Sequence, residues 1–313
     1  MEDSCLIFAN CQSENLKSTE TMISKALLLS IVFICVSFIT FSQDADSIKI
    51  ENQILDSLFI QEVEGRKEPL KILHAEPLYI DLIRDLGARK GEREWNIGMG
   101  ITDNMSFDAY ELLVEYEWAP IDRLGLEVEL PFLLKAPQKG VSREDIPSDR
   151  LESLKTAFQY TFLVSDKAKT SLAFGYINEL VFTELRNFGK PLLQGNIYNP
   201  FFIAAKRWGS NYHTLVYTGP SFHREFETKS WEFGYEWHTN FHYMIPGTRN
   251  FIGLEVNKYL RDDKDFDMTL RPQIRVAVAD NFLIGLVGGV PVARENERFS
   301  MFTRLIWEPL KHK

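Results

Sequence analysis

Residues 230–247 read SWEFGYEWHTNFHYMIPG. Trp231, Phe233, Tyr235, Trp237, Phe241 and Tyr243 recur at every second position, with Thr239 between them, and Glu232, Gly234, Glu236, His238, Asn240 and His242 fill the other register. A period of two marks a strand, whose successive side chains point to opposite faces. Two folds can use such a strand. A soluble sandwich buries the aromatic row and wets the polar row. An outer-membrane barrel turns the apolar row to lipid and the polar row to a wet lumen.

Neighbouring sequence separates these folds. From Trp95 onward the period stays at two over twelve segments: 95–102, 107–118, 123–134, 153–165, 169–182, 197–207, 211–219, 228–243, 250–260, 266–279, 281–291 and 298–308. In the second, Leu112, Val114, Tyr116 and Trp118 oppose Glu111, Glu115 and Glu117. In the third, Leu126, Val128, Leu130 and Phe132 oppose Glu127 and Glu129. In the tenth, Phe266, Met268, Leu270, Ile274, Val276 and Val278 oppose Asp267, Thr269, Arg271, Gln273 and Arg275. The sixth, seventh and twelfth segments alternate less cleanly, which leaves their facing open.

Connections alternate too. Those after the even-numbered segments are short, such as APID, DKA and DN, whereas 135–152, 183–196 and 220–227 are long; DNMS, the first loop, is the exception. An even strand count with short turns at one end and long loops at the other is the outer-membrane pattern. Trp95, Trp118, Trp208 and Trp307 fall at short-turn ends and Trp231 at a long-loop end, as amphipathic rings at headgroup level require, while Trp237 falls mid-strand. The expected fold is an all-β transmembrane antiparallel barrel of about twelve strands over 95–309. A soluble sandwich would not explain these features together.

Upstream, in KALLLSIVFICVSFITFS (25–42), one lysine precedes an apolar run too short for a comfortable membrane span, so the stretch reads as a secretory signal cleaved near Ser42. Residues 1–42 are read as the leader, and the polar stretch before Met22 suggests that translation starts within it, at Met22. Cys5, Cys11 and Cys35 all precede the cleavage point, so the mature chain offers neither a disulfide nor a thiolate metal site. A net charge of −9 argues against a nucleic-acid partner. Residues 43–94 form a periplasmic segment with helical spacing in KIENQILDSLF and again in EPLYIDLIRDLG, where Pro77 suits a first turn and Gly87 a stop. That segment belongs in the periplasm or at the barrel mouth, with a plug as the alternative.

HAEPLYIDLIRDLGARKGEREWNIGMG (74–100), EYEWAPIDRLGLEVELPF (115–132) and GLVGGVP (285–291) resemble transporter-like outer-membrane barrels of Gram-negative bacteria, particularly Bacteroidota, and are similar to the phenol-degradation pathway outer-membrane family. This likeness implies a pore or transport role and carries over no catalytic motif. The partners it implies are outer-membrane lipids, the machinery that assembles such barrels and a small solute. No cofactor is expected.

If the polar rows face inward, Glu111, Glu115, Glu117, Glu127, Glu129, Glu232, Glu236, His238, Glu255, Arg271 and Arg275 line the lumen, with Arg304 a further candidate. They form either a salt-bridged interior or a surface that selects solutes by charge, with a carboxylate excess favouring cations. Metal binding by His213, His223, His238 and His242 is weaker, because His238 and His242 stand about 13 Å apart along a strand. The alternative to a channel is a lipid-modifying hydrolase built on Ser221, His223 and Glu225; a third reading is a structural barrel with no open pore.

Overall fold

The computed structural model describes residues 45–65, 69–80, 83, 86–185, 189, 191–262, 265–294 and 296–309. The expected leader, 1–42, lies outside the described residues. The chain divides into compact units at 1–51 and 52–313. Helix α1 (Ala45–Glu64) begins in the first unit, and its spacing agrees with the sequence expectation.

The second unit is a closed barrel. Its strands are β1 (Arg93–Asn104), β2 (Phe107–Ile121), β3 (Leu124–Pro137), the two-residue β4 (Arg150–Leu151), β5 (Ser153–Ser165), β6 (Thr170–Phe182), β7 (Leu193–Trp208), β8 (Tyr212–Glu225), β9 (Trp231–Met244), β10 (Phe251–Arg261), β11 (Phe266–Ala279), β12 (Phe282–Ala293) and β13 (Glu297–Trp307). Every long strand pairs antiparallel with its sequence neighbours, and β1 pairs with β13 from Trp95↔Trp307 to Asn104↔Glu297. The result is a twelve-stranded barrel, with β4 added at the edge of β3. Closure leaves no unpaired sheet edge, which is what allows strands to cross a bilayer.

Burial is inverted relative to a soluble protein. Trp231, Phe233, Tyr235, Trp237 and Phe241 of β9 are all exposed, whereas Asn240 and His242 between them are buried. On β2 and β3, Leu112, Val114, Val128 and Leu130 face out, and Glu115, Glu117, Glu127 and Glu129 are buried inside. In water such a continuous apolar surface would drive aggregation; facing lipid it is matched to its surroundings. Trp95, Trp208 and Trp307 ring the short-turn end, with Trp231 at the long-loop end.

The interior holds a segment of the chain itself. Ile72, Ala75, Leu78, Ile80, Ile83, Leu86 and Ala88 are each at most 5 % exposed. Ile80, Ile83 and Leu86 pack with Ile177, Phe201, Ile203, Leu215 and Tyr217 on one side. Ala75 and Leu78 pack with Leu113, Phe251, Leu283, Val287, Phe302 and Ile306 on the other.

A second helix from Pro77 to Gly87 is not formed over residues 77–80, which are irregular; residues 81, 82, 84 and 85 lie outside the described residues. The reason is where the amides find acceptors. Leu73 N donates to Glu64 Oε1 (2.9 Å), Ala75 N to His213 Nδ1 (3.1 Å), Leu78 N to Gln273 Oε1 (2.8 Å) and Gly87 N to Thr161 Oγ1 (3.0 Å). Side chains of α1 and the wall take the place of the i−4 carbonyls of a helix, and Leu78 and Leu86 serve two walls rather than one stripe. Of the two placements weighed for this segment, a plug and a helix outside the lumen, residues 72–80 take the first.

Candidate functional site

The lumen has two stories. At the short-turn end the plug is pinned by polar contacts. Glu76 pairs with Arg275 (3.9 Å), His74 Nε2 meets Ser171 Oγ (2.9 Å), and Lys71 pairs with Glu92 (3.6 Å). Glu64, at the end of α1, pairs with Arg207 (2.8 Å) and Lys169 (3.8 Å). A glutamate in a last helical turn is unfavourable to the helix dipole, and these two cations compensate it.

Above the plug lies a cup of about 500 Å³. Tyr79, Ile80, Leu113, Ile177, Tyr217 and Phe302 form its apolar lower tier. Its walls carry both signs, among them Glu111, Glu129, Glu179, Glu236 and Asp267 facing Lys155, Arg261, Arg271, Arg294 and Arg304. Most of the charges are paired: Lys155 with Glu129 (3.0 Å), Arg261 with Asp267 (2.6 Å), Arg294 with Glu297 (3.0 Å) and Arg304 with Glu115 (3.6 Å). Glu236 accepts from Asn199 Nδ2 (3.0 Å) and neighbours His238 (3.4 Å).

The residues expected to line the lumen therefore separate. Glu111, Glu129, Glu236, His238 and Arg271 line the cup. Glu115, Glu117 and Glu127 are buried and do not line the cup; their carboxylate oxygens lie within 4.8 Å of one another, Glu117 and Glu127 being direct cross-strand partners. Asn96, fully buried, donates to Glu115 (2.6 Å) and Glu117 (3.0 Å), and none of these carboxylates stands alone. Glu255 is fully buried and accepts from Asn257 (2.7 Å) and Gln273 (3.0 Å). Arg275 lies at the plug, over Phe251. Glu232 is exposed beside His223 at the long-loop end, away from the lumen.

The sequence reading missed Asn96 and Arg207. Each is a polar residue on the inner register of a strand, which is the signal that identifies it. The proposed histidine set does not assemble: His213 and His242 are cross-strand partners at the short-turn end, His238 lines the cup, and His223 faces Glu232. Nor does a Ser–His–Glu triad form. Ser221 shares a hydrogen bond with Tyr259, His223 Nε2 points at Gly195 of β7, and Glu225 accepts from Thr228. A nucleophilic serine needs a base within hydrogen-bond reach.

A family model described as HAEPLYID-like matches residues 70–308, which include the eight residues His74 to Asp81 that spell the name. The chain belongs to the HAEPLYID family. Among solved structures it is similar to an outer membrane channel from Pseudomonas putida F1, with 14 % identity, 74 % of this chain and 100 % of that one covered, and a TM-score of 0.56. It is also similar to the KdgM porin (14 % identity, 69 % and 99 % covered, TM-score 0.47) and the NanC porin (9 %, 70 % and 100 %, 0.49). No curated protein matches it. At these identities the likeness establishes the fold: this HAEPLYID-family chain is built as outer-membrane barrels are.

Proposed function

We propose that this HAEPLYID-family protein is an outer-membrane channel whose path is closed at the short-turn end by a segment of its own, of which residues 72–80, 83 and 86–88 are described. A small polar solute enters the cup from the long-loop side and passes when the segment shifts. The observation that carries this reading is the cup itself, a solvent-sized space lined by charge and floored by a segment held through side chains rather than a strand ladder. The neighbouring channel folds and the likeness to transporter-like barrels support it. A cation preference was expected from the carboxylate excess, but the cup's lining carries both signs. We place the barrel in the outer membrane, with lipid around its aromatic band and β13 presented to the assembly machinery.

Planar-bilayer conductance tests the proposal. The full chain should conduct little. A Leu78→Asp/Ile83→Asp variant puts charge into both plug–wall contacts and should conduct markedly more, provided that it still migrates as a folded barrel in unboiled gels. Equal, open-pore conductance from both proteins would contradict a closed path.

A further inference from the structure

Arg271 differs from the other arginines around the cup, which are ion-paired. It sits on the inner register of β11, is 3 % exposed, and lines the cup at the level of the apolar tier. Its guanidinium lies over the Tyr79 ring, 3.4 Å from the centroid, and Nη1 donates to Ser300 Oγ at 3.3 Å. Among the described residues no carboxylate forms an ion pair with it, and its Nε has no acceptor. Glu255, its cross-strand partner on β10, is turned to Asn257 and Gln273 instead.

The backbone around it is built to permit this placement. Pro272 carries no N–H, and the β11–β12 pairing skips from Leu270↔Val290 to Gln273↔Val287. Opposite the gap, a Cβ on Gly289 would collide with Ser300 Oγ and come within 2.7 Å of Arg271 Nη1. Glycine at 289 thus leaves the lane through which the guanidinium crosses β12 to reach β13.

A buried cation with no ion-paired carboxylate is costly, and a ring face and one hydroxyl offset only part of that cost. A ligand carboxylate would supply the rest. Beneath and beside the guanidinium the cup offers Tyr79, Leu113 and Phe302, which suit an apolar body. We propose that the cup binds a small organic monoanion, its carboxylate on Arg271 and its short aliphatic or aromatic body on the apolar tier. This rests on the reading above that the cup is the solute site, and it names the class of solute.

The test is equilibrium binding to the full-length barrel in detergent, measured calorimetrically with hexanoate, benzoate, hexylamine and benzylamine. The two acids should bind and the two amines should not. Arg271→Gln should weaken acid binding by about tenfold or more, the scale of a lost charge-assisted hydrogen bond. Gly289→Ala, which leaves the arginine in place but blocks its lane, should weaken it to a smaller extent, and Arg271→Lys should retain part of it. Amines binding as well as acids, or acids binding Arg271→Gln undiminished, would overturn the assignment. Failure of the channel reading is distinguishable: acid binding without conductance in any plug variant leaves this site standing and removes the path, whereas conductance without acid binding does the reverse.

Discussion

At the residue scale the two registers of one strand face different solvents, and the consequences of substitution differ accordingly. Val114 lies mid-way along β2, faces outward, and pairs across to Ile97 and Leu130, which are also exposed. Val114→Arg should disfavour insertion by about 2–4 kcal/mol if it lies near the midplane, because a guanidinium there has neither water nor partner. Glu127, on the neighbouring strand β3, faces inward among Glu115, Glu117 and Asn96. Glu127→Gln relieves one of several crowded like charges and should change stability far less. Refolding equilibria in liposomes of defined thickness measure both; equal sensitivity at the two positions would contradict the facing assigned here. Gly87 shows a different constraint on one residue: its φ of +90° is left-handed, and its N–H meets Thr161, so it turns the chain out of the lumen where a side chain would be strained.

At the element scale, legibility tracked what the inner row touches. All twelve long strands were readable because their outer rows must be apolar and their turns polar. The facing of β2, β3, β9 and β11 was readable too, since their inner rows are charged. β7, β8 and β13 were ambiguous for a physical reason: Phe201, Ile203, Leu215, Tyr217, Phe302 and Ile306 face inward against the plug, so both registers are apolar there. The plug itself misled, because leucines four apart also suit a helix, and only the walls reveal that Leu78 and Leu86 serve opposite contacts. Truncating Leu78, 2 % exposed, to alanine should cost about 2–5 kcal/mol of plug or barrel stability, read from thermal loss of the compact gel band. The long loop after β3 is likewise an ordered element. Ser142 caps a 3-10 turn (Arg143–Asp145), and Asp149 accepts from Lys135 N (2.7 Å) and Arg143 Nη2 (2.6 Å). Partial burial alone would raise the Asp149 carboxyl, but the Arg143 and Lys135 hydrogen bonds outweigh it and hold the group below its ordinary value. A depressed folded value means that the anchor is fully present above the usual aspartate range and is lost as pH falls through the lowered one. A spin label on a cysteine at Val141 should therefore keep constant mobility from neutral pH to about pH 5 and loosen only below about pH 4, the ordinary aspartate value. Loosening near pH 6 would rule out Asp149 as the anchor.

At the scale of the whole molecule, two kinds of hydrogen bonding coexist at equal burial. Strand amides belong to ladders that join every long strand to its neighbours and close the barrel through β1 and β13. Such amides open only when neighbouring strands part, which is close to global unfolding. Plug amides at Leu73, Ala75 and Leu78 instead donate to single side chains on α1, β8 and β11. Each can be released by a rotamer change, without breaking any strand pair. The protein should thus have two stability tiers, a rigid shell and a dislodgeable core segment, and a gated channel requires this division. Hydrogen exchange of the detergent-solubilised barrel should show the amides of residues 73–80 exchanging at least an order of magnitude faster than inward-facing residues of β2, β7 and β8, despite similar burial. Leu78→Asp/Ile83→Asp should accelerate the plug amides while leaving the strand amides unchanged. If plug and strands instead exchange together, at one rate and with one response to substitution, the segment is part of the barrel's own core and cannot move as a gate.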